Sequence, residues 1–266
     1  MQPLPGTERV EEILAFDFDG TLHDPPSGAV LGALFFDTMR ELRASHHTRW
    51  GICTGRSLVQ LMEGFSECQV PFLPDFVVAR EREIYFPAKL GRWTPDKKWN
   101  KRCEKEHRTL FRKARKVLQK VRSYVEEKTD ARWVEVHGDP AGIISSTVEE
   151  MDEILVVANE VMKEVPELAY ERNSIYLRFS HRDFSKGSAL KYCGELVGVS
   201  SNAILAVGDN SNDLSMLHPE VAQRLGCPSN SIPMVKEQIL AHGGVVAQNP
   251  GCQGVLEVVE GYYGAA

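Results

Sequence analysis

The chain of 266 residues has no CxxC pair, no HxxxH or HExxH pattern, and no apolar run approaching the length of a membrane span. The first two absences leave zinc and dithiol chemistry without support. The third offers no spanning helix. With no basic-flanked apolar segment near the start, the expectation is a cytoplasmic protein without a membrane partner. Positive charge is scarce too: 31 Lys and Arg against 37 Asp and Glu leave a net charge of −6, so no nucleic-acid partner is expected. The six cysteines are irregularly spaced. Cys53 follows Ile52 and Cys193 follows Tyr192, which reads as small buried thiols. No internal repeat or low-complexity tract is present.

What is present is a core-forming composition, 42% hydrophobic and 26% charged. Residues 1–10 read as an arm. Ile13-Leu14-Ala15-Phe16 is a short continuous apolar run, as in a strand buried on both faces of a parallel sheet. After a Pro-Pro turn, Leu34, Phe35, Met39 and Leu42 recur at helical spacing within residues 31–44. Trp50 to Cys53 is a second strand, Ser57 caps a helix from Leu58 to about Phe65, and Phe76 to Ala79 is a third strand. This alternation predicts a parallel sheet with right-handed crossovers.

The pattern then breaks. Residues 81–182 open with an aromatic, Pro-containing stretch (Tyr85, Phe86, Pro87, Trp93, Pro95, Trp99) and continue with a basic helix from about Lys101 to Lys128. Strands at Ala131 to Val136 and Gly142 to Ser145, a helix from Val148 to Lys163 and a strand from Ser174 to Phe179 follow. The α/β texture resumes at Lys186, with a strand over Ala203 to Val207 and another near Ala222 to Leu225. The expectation is an α/β core, residues 1–80 and 183–266, interrupted by a separately folded α+β unit, residues 81–182.

Four pieces bring polar groups to the ends of these strands, where open parallel sheets bind ligands. Asp17-x-Asp19-Gly20-Thr21 puts two carboxylates one residue apart, so one can meet a metal and substrate while the other sits in a different environment. Thr54-Gly55-Arg56 offers a hydroxyl and exposed backbone N–H groups to a phosphoryl oxygen. Lys186 begins a helix, where its charge and the helix terminus both favour an anion. Gly208-Asp209-Asn210-Ser211-Asn212-Asp213 is a dense acidic loop after a buried strand. Hard oxygen donors without His or Cys select Mg²⁺, and several carboxylates around one site repel each other without such a cation. Each piece alone has a bland reading, a turn or a solvated loop; the four in order, each at a strand end or helix start, do not.

These pieces (FDFDGTL, ICTGRS, the SKG around Lys186, and VGDNSNDLSML) resemble the motif set of the haloacid dehalogenase superfamily of phosphatases, and the resemblance covers the whole core. It implies a Rossmann-like core with an inserted α+β cap of type C2B. It further implies Asp17 as nucleophile and Asp19 as general acid/base. By the same resemblance Mg²⁺ is held by Asp17, the backbone carbonyl of Asp19, and Asp209, with Asp213 supporting or ligating. Thr54, Gly55, Lys186 and Asn212 would hold the phosphate. Such caps close over the site and select the leaving group.

Within the superfamily, LPDFVVAREREIY and WTPDKKW are similar to sucrose-phosphate phosphatase and its bacterial relatives, although Glu81-Arg82 stands where Gly-Thr is expected. The partner implied is a small phosphorylated metabolite, a sugar phosphate. Candidate substrate contacts, chosen by location, are Glu81 and Arg82 at the start of the insert and Asn173, Arg178, His181 and Arg182 at its end; for each of them a solvated surface role is the favoured reading. Trp93, Trp99 and Trp133 could stack on sugar faces, but packing is the favoured reading. The basic run from Lys97 to Lys128 reads as a solvated helix face. Two alternatives stay open: a phosphosugar mutase using the same aspartyl-phosphate, and a non-catalytic sensor on the same fold.

Overall fold

A computed structural model describes residues 9–23, 32–136 and 139–264. The Pro-Pro turn and most of the N-terminal arm lie outside these residues. The chain forms two compact units: Lys101–Phe184 is one, and the described residues on either side of it make the other.

The larger unit is built on an eight-stranded sheet. Its strands in chain order are β1 (Glu12–Phe16), β2 (Thr48–Cys53), β3 (Phe76–Ala79), β4 (Glu83–Pro87), β5 (Trp93–Pro95), β10 (Ile204–Val207), β11 (Arg224–Cys227) and β12 (Val245–Val246). Across the sheet the order is β12-β11-β10-β1-β2-β3-β4-β5. The strands from β12 to β3 run parallel and the last two antiparallel. β1 lies near the middle, with Phe16 opposite Val207 on one side and Ile52 on the other. Ile13 to Phe16 are wholly buried, as a continuous apolar run requires when helices cover both faces. Among those helices are α1 (Ala33–His46) and α2 (Leu58–Glu67); Phe35 of α1 meets Phe16 and Trp50 edge-to-face with ring centroids 5.6 and 5.5 Å apart.

Gly51 in β2 is required by this packing: a Cβ there would lie 2.2 Å from the Phe76 ring. Gly51→Ala is therefore expected to cost about 1–3 kcal/mol by overpacking, read as a lower thermal midpoint by circular dichroism. An unchanged midpoint would mean that β2 and β3 do not approach this closely.

The expected boundary at residue 81 falls earlier than the break after Asn100. β4 and β5 extend the large sheet, with Tyr85 opposite Val77 and Pro95 opposite Tyr85. At the far end the break follows Phe184 rather than residue 182.

The second unit has α3 (Lys97–Lys113, which starts in the larger unit), α4 (Arg115–Lys128), β6 (Arg132–Val136), β7 (Asp139–Ile144), α5 (Val148–Met162), β8 (Leu168–Asn173) and β9 (Tyr176–His181). Its antiparallel sheet runs β6-β7-β9-β8, and Val121, Val125, Met151, Ile154 and Phe179 fill its core. The single basic helix expected here is two, parted at Ala114 although the backbone bonds Ala114 N to Leu110 O and Leu118 N to Ala114 O continue across. The larger unit closes with α6 (Lys186–Val197), β10, β11, α7 (Pro233–Ala241), β12 and α8 (Gly251–Tyr263). Among the described residues no helix is long and apolar enough to cross a membrane.

Candidate active site

The carboxyl ends of β1, β3, β10 and β2 lead into Asp17, Arg80-Glu81, Gly208-Asp209 and Thr54, so four separate sequence motifs meet at one sheet edge. Asp17 is fixed there by its backbone N–H, which donates to Val207 O at 2.9 Å. The chain turns at once through Gly20 at φ +82, where a Cβ would lie 2.5 Å from an Asp209 carboxylate oxygen. Only glycine satisfies both demands.

Asp17, Asp209 and Asp213 are buried, each presenting a carboxylate oxygen within 4.8 Å of the others. Lys186, the first residue of α6 and wholly buried, donates from Nζ to Asp17 Oδ1 at 2.7 Å and Asp213 Oδ1 at 2.6 Å. Asp213 Oδ2 accepts from the backbone N–H groups of Asp209 and Asn210 at 2.9 and 3.0 Å. Asp213 therefore organises its own loop as well as facing the lysine. Asp209 Oδ1 accepts from the Thr21 hydroxyl at 2.7 Å.

Three carboxylates against one ammonium leave the cluster short of positive charge, and the titration behaviour follows. Burial, and then Asp213, hold the Asp17 carboxyl well above the usual range, with Lys186 opposing. Burial and Asp213 likewise push Asp209 up to about 7. Burial works against the charge on Lys186, but Asp17 and Asp213 outweigh it and hold its pKa well above the ordinary value. A cluster of hard oxygen donors that resists ionising fully fits a divalent cation of the Mg²⁺ type. Asp17 and Asp209 would hold it, with Asp213 beside them.

Asp19 stands apart, half-buried, gripped by Arg56: Nε to Oδ2 at 2.7 Å and Nη2 to Oδ1 at 2.6 Å. The guanidinium lies 5.0 Å over the Phe18 ring and donates a third bond to Gln60 O. In the sequence, Arg56 stands out only for its backbone N–H. A planar fork three residues beyond a strand end, facing a motif with two carboxylates, was the signal available. Thr54 is buried, and its Oγ1 accepts from Arg56 N at 3.1 Å, leaving its hydroxyl proton free to donate. Asn212 is buried, with Nδ2 donating to Glu81 Oε1 at 3.0 Å.

The remaining candidates divide. Glu81 belongs to this edge. Arg82 is buried and folds back to Arg80 O at 3.3 Å, while its own carbonyl accepts from Trp99 Nε1 at 2.7 Å. Asn173, Arg178 and Arg182 lie in the second unit, as does His181, a buried side chain that accepts from Asp183 N at 3.2 Å. The tryptophans pack: Trp99 against Tyr192 at 4.7 Å, Trp93 on Met62 Sδ at 3.0 Å, and Trp133 stacked on Phe179 at 5.8 Å. Five of the six cysteines are buried and all are free; burial pushes the Cys53 thiol up to about 12.

A Rossmann-like α/β protein with a buried acidic cluster at the sheet's carboxyl edge is the class that fold and site define. A family model for haloacid dehalogenase-like hydrolases matches residues 75–241, and the chain belongs to that family. A Haemophilus influenzae protein named "Putative phosphatase" is 31% identical over 94 residues, which is 35% of this chain. The match spans about a third (36%) of that curated relative. Among solved structures the fold is similar to the sucrose-phosphatase of Synechocystis sp. PCC6803 in complex with sucrose and phosphate, with a TM-score of 0.70 at 17% identity over 95% of this chain and 98% of that one. It is similar also to a Bacteroides thetaiotaomicron phosphatase of the haloalkanoate superfamily, with a TM-score of 0.65 at 18% identity over 98% and 97% of the two chains.

Proposed function

We propose that this protein is a Mg²⁺-dependent phosphomonoesterase for a small sugar phosphate, working through an aspartyl-phosphate on Asp17. The observation that carries the reading is Asp17 itself: a buried carboxylate at the end of a central strand, 2.7 Å from Lys186 Nζ and in one cluster with Asp209 and Asp213.

An Asp17 oxygen attacks phosphorus in line, and the bond to the leaving oxygen breaks as Asp19, with one oxygen released from Arg56 and protonated, supplies its proton. Asp19, now ionised, takes a proton from water, whose oxygen attacks the phosphorus and frees both phosphate and Asp17. Lys186, Thr54 and Asn212 stabilise the phosphoryl oxygens through positive charge and donated hydrogen bonds. Bound Mg²⁺ supplies the further charge neutralisation that this acidic cluster lacks. The sugar-phosphate assignment is supported by the sequence likeness around residues 73–99 and by the likeness in fold to a phosphatase solved with sucrose and phosphate.

Phosphate release from a panel of sugar, nucleotide and glycolytic esters, with Mg²⁺ and with EDTA, tests the reading. Mg²⁺-dependent release from a disaccharide or hexose phosphate is expected, with acid-quenched protein phosphorylated at Asp17. No release from any ester and no phosphorylated Asp17 would overturn it. A requirement for a bisphosphate activator, with little net release, would move the protein to the mutases.

The Arg56 clamp carries its own prediction. A lysine offers a point charge where Asp19 now has a two-pronged partner. Arg56→Lys is expected to lower kcat/KM, which reports formation of the phosphoenzyme, about 10- to 100-fold for alkyl phosphates through misplacement of Asp19. It should lower kcat/KM much less for p-nitrophenyl phosphate, whose leaving group needs no proton. Equal losses on both would show that Arg56 does not act through Asp19.

A further inference from the structure

Glu81 occupies an unusual position. It follows β3 at the sheet edge, is 6% exposed, and has a left-handed backbone (φ +65), as does Arg80 before it (φ +50). Two successive non-glycine residues in that region carry strain that the surroundings must hold in place. Here the holding bonds are Arg80 N to Arg56 O and Glu81 N to Thr54 O, both 2.8 Å, which tie the turn to the loop after β2. The effect is to aim a buried carboxylate between the two loops that offer donors to a phosphoryl group. Its Oε1 takes the Nδ2 of Asn212 at 3.0 Å and lies 3.1 Å from where a Cβ on Gly55 would be. It also adds to the field that keeps Lys186 charged.

Asn212 Nδ2 carries two N–H groups, and Glu81 Oε1 accepts from one of them. Its Oδ1 is buried with no partner among the described residues and, being an acceptor, is of no use to a phosphoryl oxygen. A phosphoryl group entering this edge must therefore share the Asn212 amide with Glu81 and bear the repulsion of its charge. We infer that Glu81 is an internal competitor for the phosphoryl group, setting how weakly the site holds phosphate and thereby favouring release of that product. The inference rests on the phosphatase reading above. It goes beyond that reading by giving Glu81 a role toward the phosphoryl half of the substrate and not toward the sugar.

The test is the inhibition constant of inorganic phosphate and the KM of two esters with unrelated leaving groups, measured with Mg²⁺ for the wild type, Glu81→Gln and Glu81→Ala. Glutamine keeps an acceptor for Asn212 and removes the charge. Removing one unit charge a few ångströms from a dianion at protein-like dielectric is expected to tighten phosphate at least about tenfold. Both KM values should fall by a similar factor, with no gain in kcat. Glu81→Ala must move in the same direction, which keeps the test alive if one variant folds poorly.

Phosphate affinity that is unchanged or weaker in both folded variants would overturn the inference, by showing Glu81 to be a support for Asn212. A change in KM for one ester alone, with phosphate inhibition unmoved, would overturn it in favour of a sugar contact. A wild type that hydrolyses no ester would instead overturn the phosphatase reading, so the two failures are distinct.

Discussion

Asp17→Asn is expected to abolish hydrolysis, with a loss on the order of 10⁴-fold or more, while leaving the metal-free protein as stable as the wild type or more so. Loss of activity follows from the proposed mechanism, in which Asp17 is the nucleophile and an amide oxygen would not form the phosphoenzyme. The stability half of the result is the more discriminating, because most substitutions at a buried strand end destabilise. Here burial and Asp213 already make the charged form of Asp17 costly. The amide oxygen of the replacement can still accept from Lys186, and Lys186 keeps Asp213 at 2.6 Å. The measurement is paired: steady-state phosphate release with Mg²⁺, and the thermal midpoint in EDTA. Full loss of activity with an unchanged or raised midpoint assigns the defect to chemistry. A lowered midpoint would mean that Asp17 is chiefly a structural partner of Lys186, and retained activity would remove it as the nucleophile.

Much of this site was legible in the sequence because of how parallel sheets are built. A strand buried on both faces must be apolar throughout, so the polar residue that ends it stands out. Asp17 after Ile13-Leu14-Ala15-Phe16, Thr54 after Cys53 and Asp209 after Val207 could each be picked by that contrast, and the structure brings them to one edge. The contrast says little about where a side chain turns next. Arg56 reaching back to Asp19, and Glu81 across to Asn212, span 37 and 131 residues of sequence, and no local pattern encodes either pairing.

The fold shows the same division. The alternation in β4, with Ile84 and Phe86 buried, marks a strand but not which sheet accepts it, and this strand joins the large sheet and not the insert. β8 leaves little mark in the sequence because Leu168–Asn173 has one fully buried residue and a polar remainder, as befits an edge strand. The break at Ala114 has no Gly or Pro to announce it.

Lys186→Met should destabilise the metal-free protein by about 3–5 kcal/mol at pH 8, the usual cost of removing one partner from a buried ion cluster, and Mg²⁺ should restore part of the loss. With the ammonium gone, Asp17, Asp209 and Asp213 face each other in a site from which water is largely excluded. The pH dependence follows from Asp209, whose pKa in the folded protein is about 7, against about 3.9 when unfolded. Between those values the folded state holds the proton that the unfolded state has released. Stability of the metal-free wild type from this group therefore falls as pH rises through that window, the penalty being absent below it and complete above. Removing Lys186 deepens the penalty, so the gap between variant and wild type should narrow at pH 5 and widen at pH 8. A cation bound to the folded state alone opposes it, by about 2.7 kcal/mol at a hundredfold excess over its dissociation constant. Thermal midpoints in EDTA and in saturating Mg²⁺, at both pH values, measure all of this in one experiment. A variant as stable as the wild type at pH 8 in EDTA would show that the carboxylates are not held charged against one another, and the case for a divalent cation at this edge would lose its electrostatic basis.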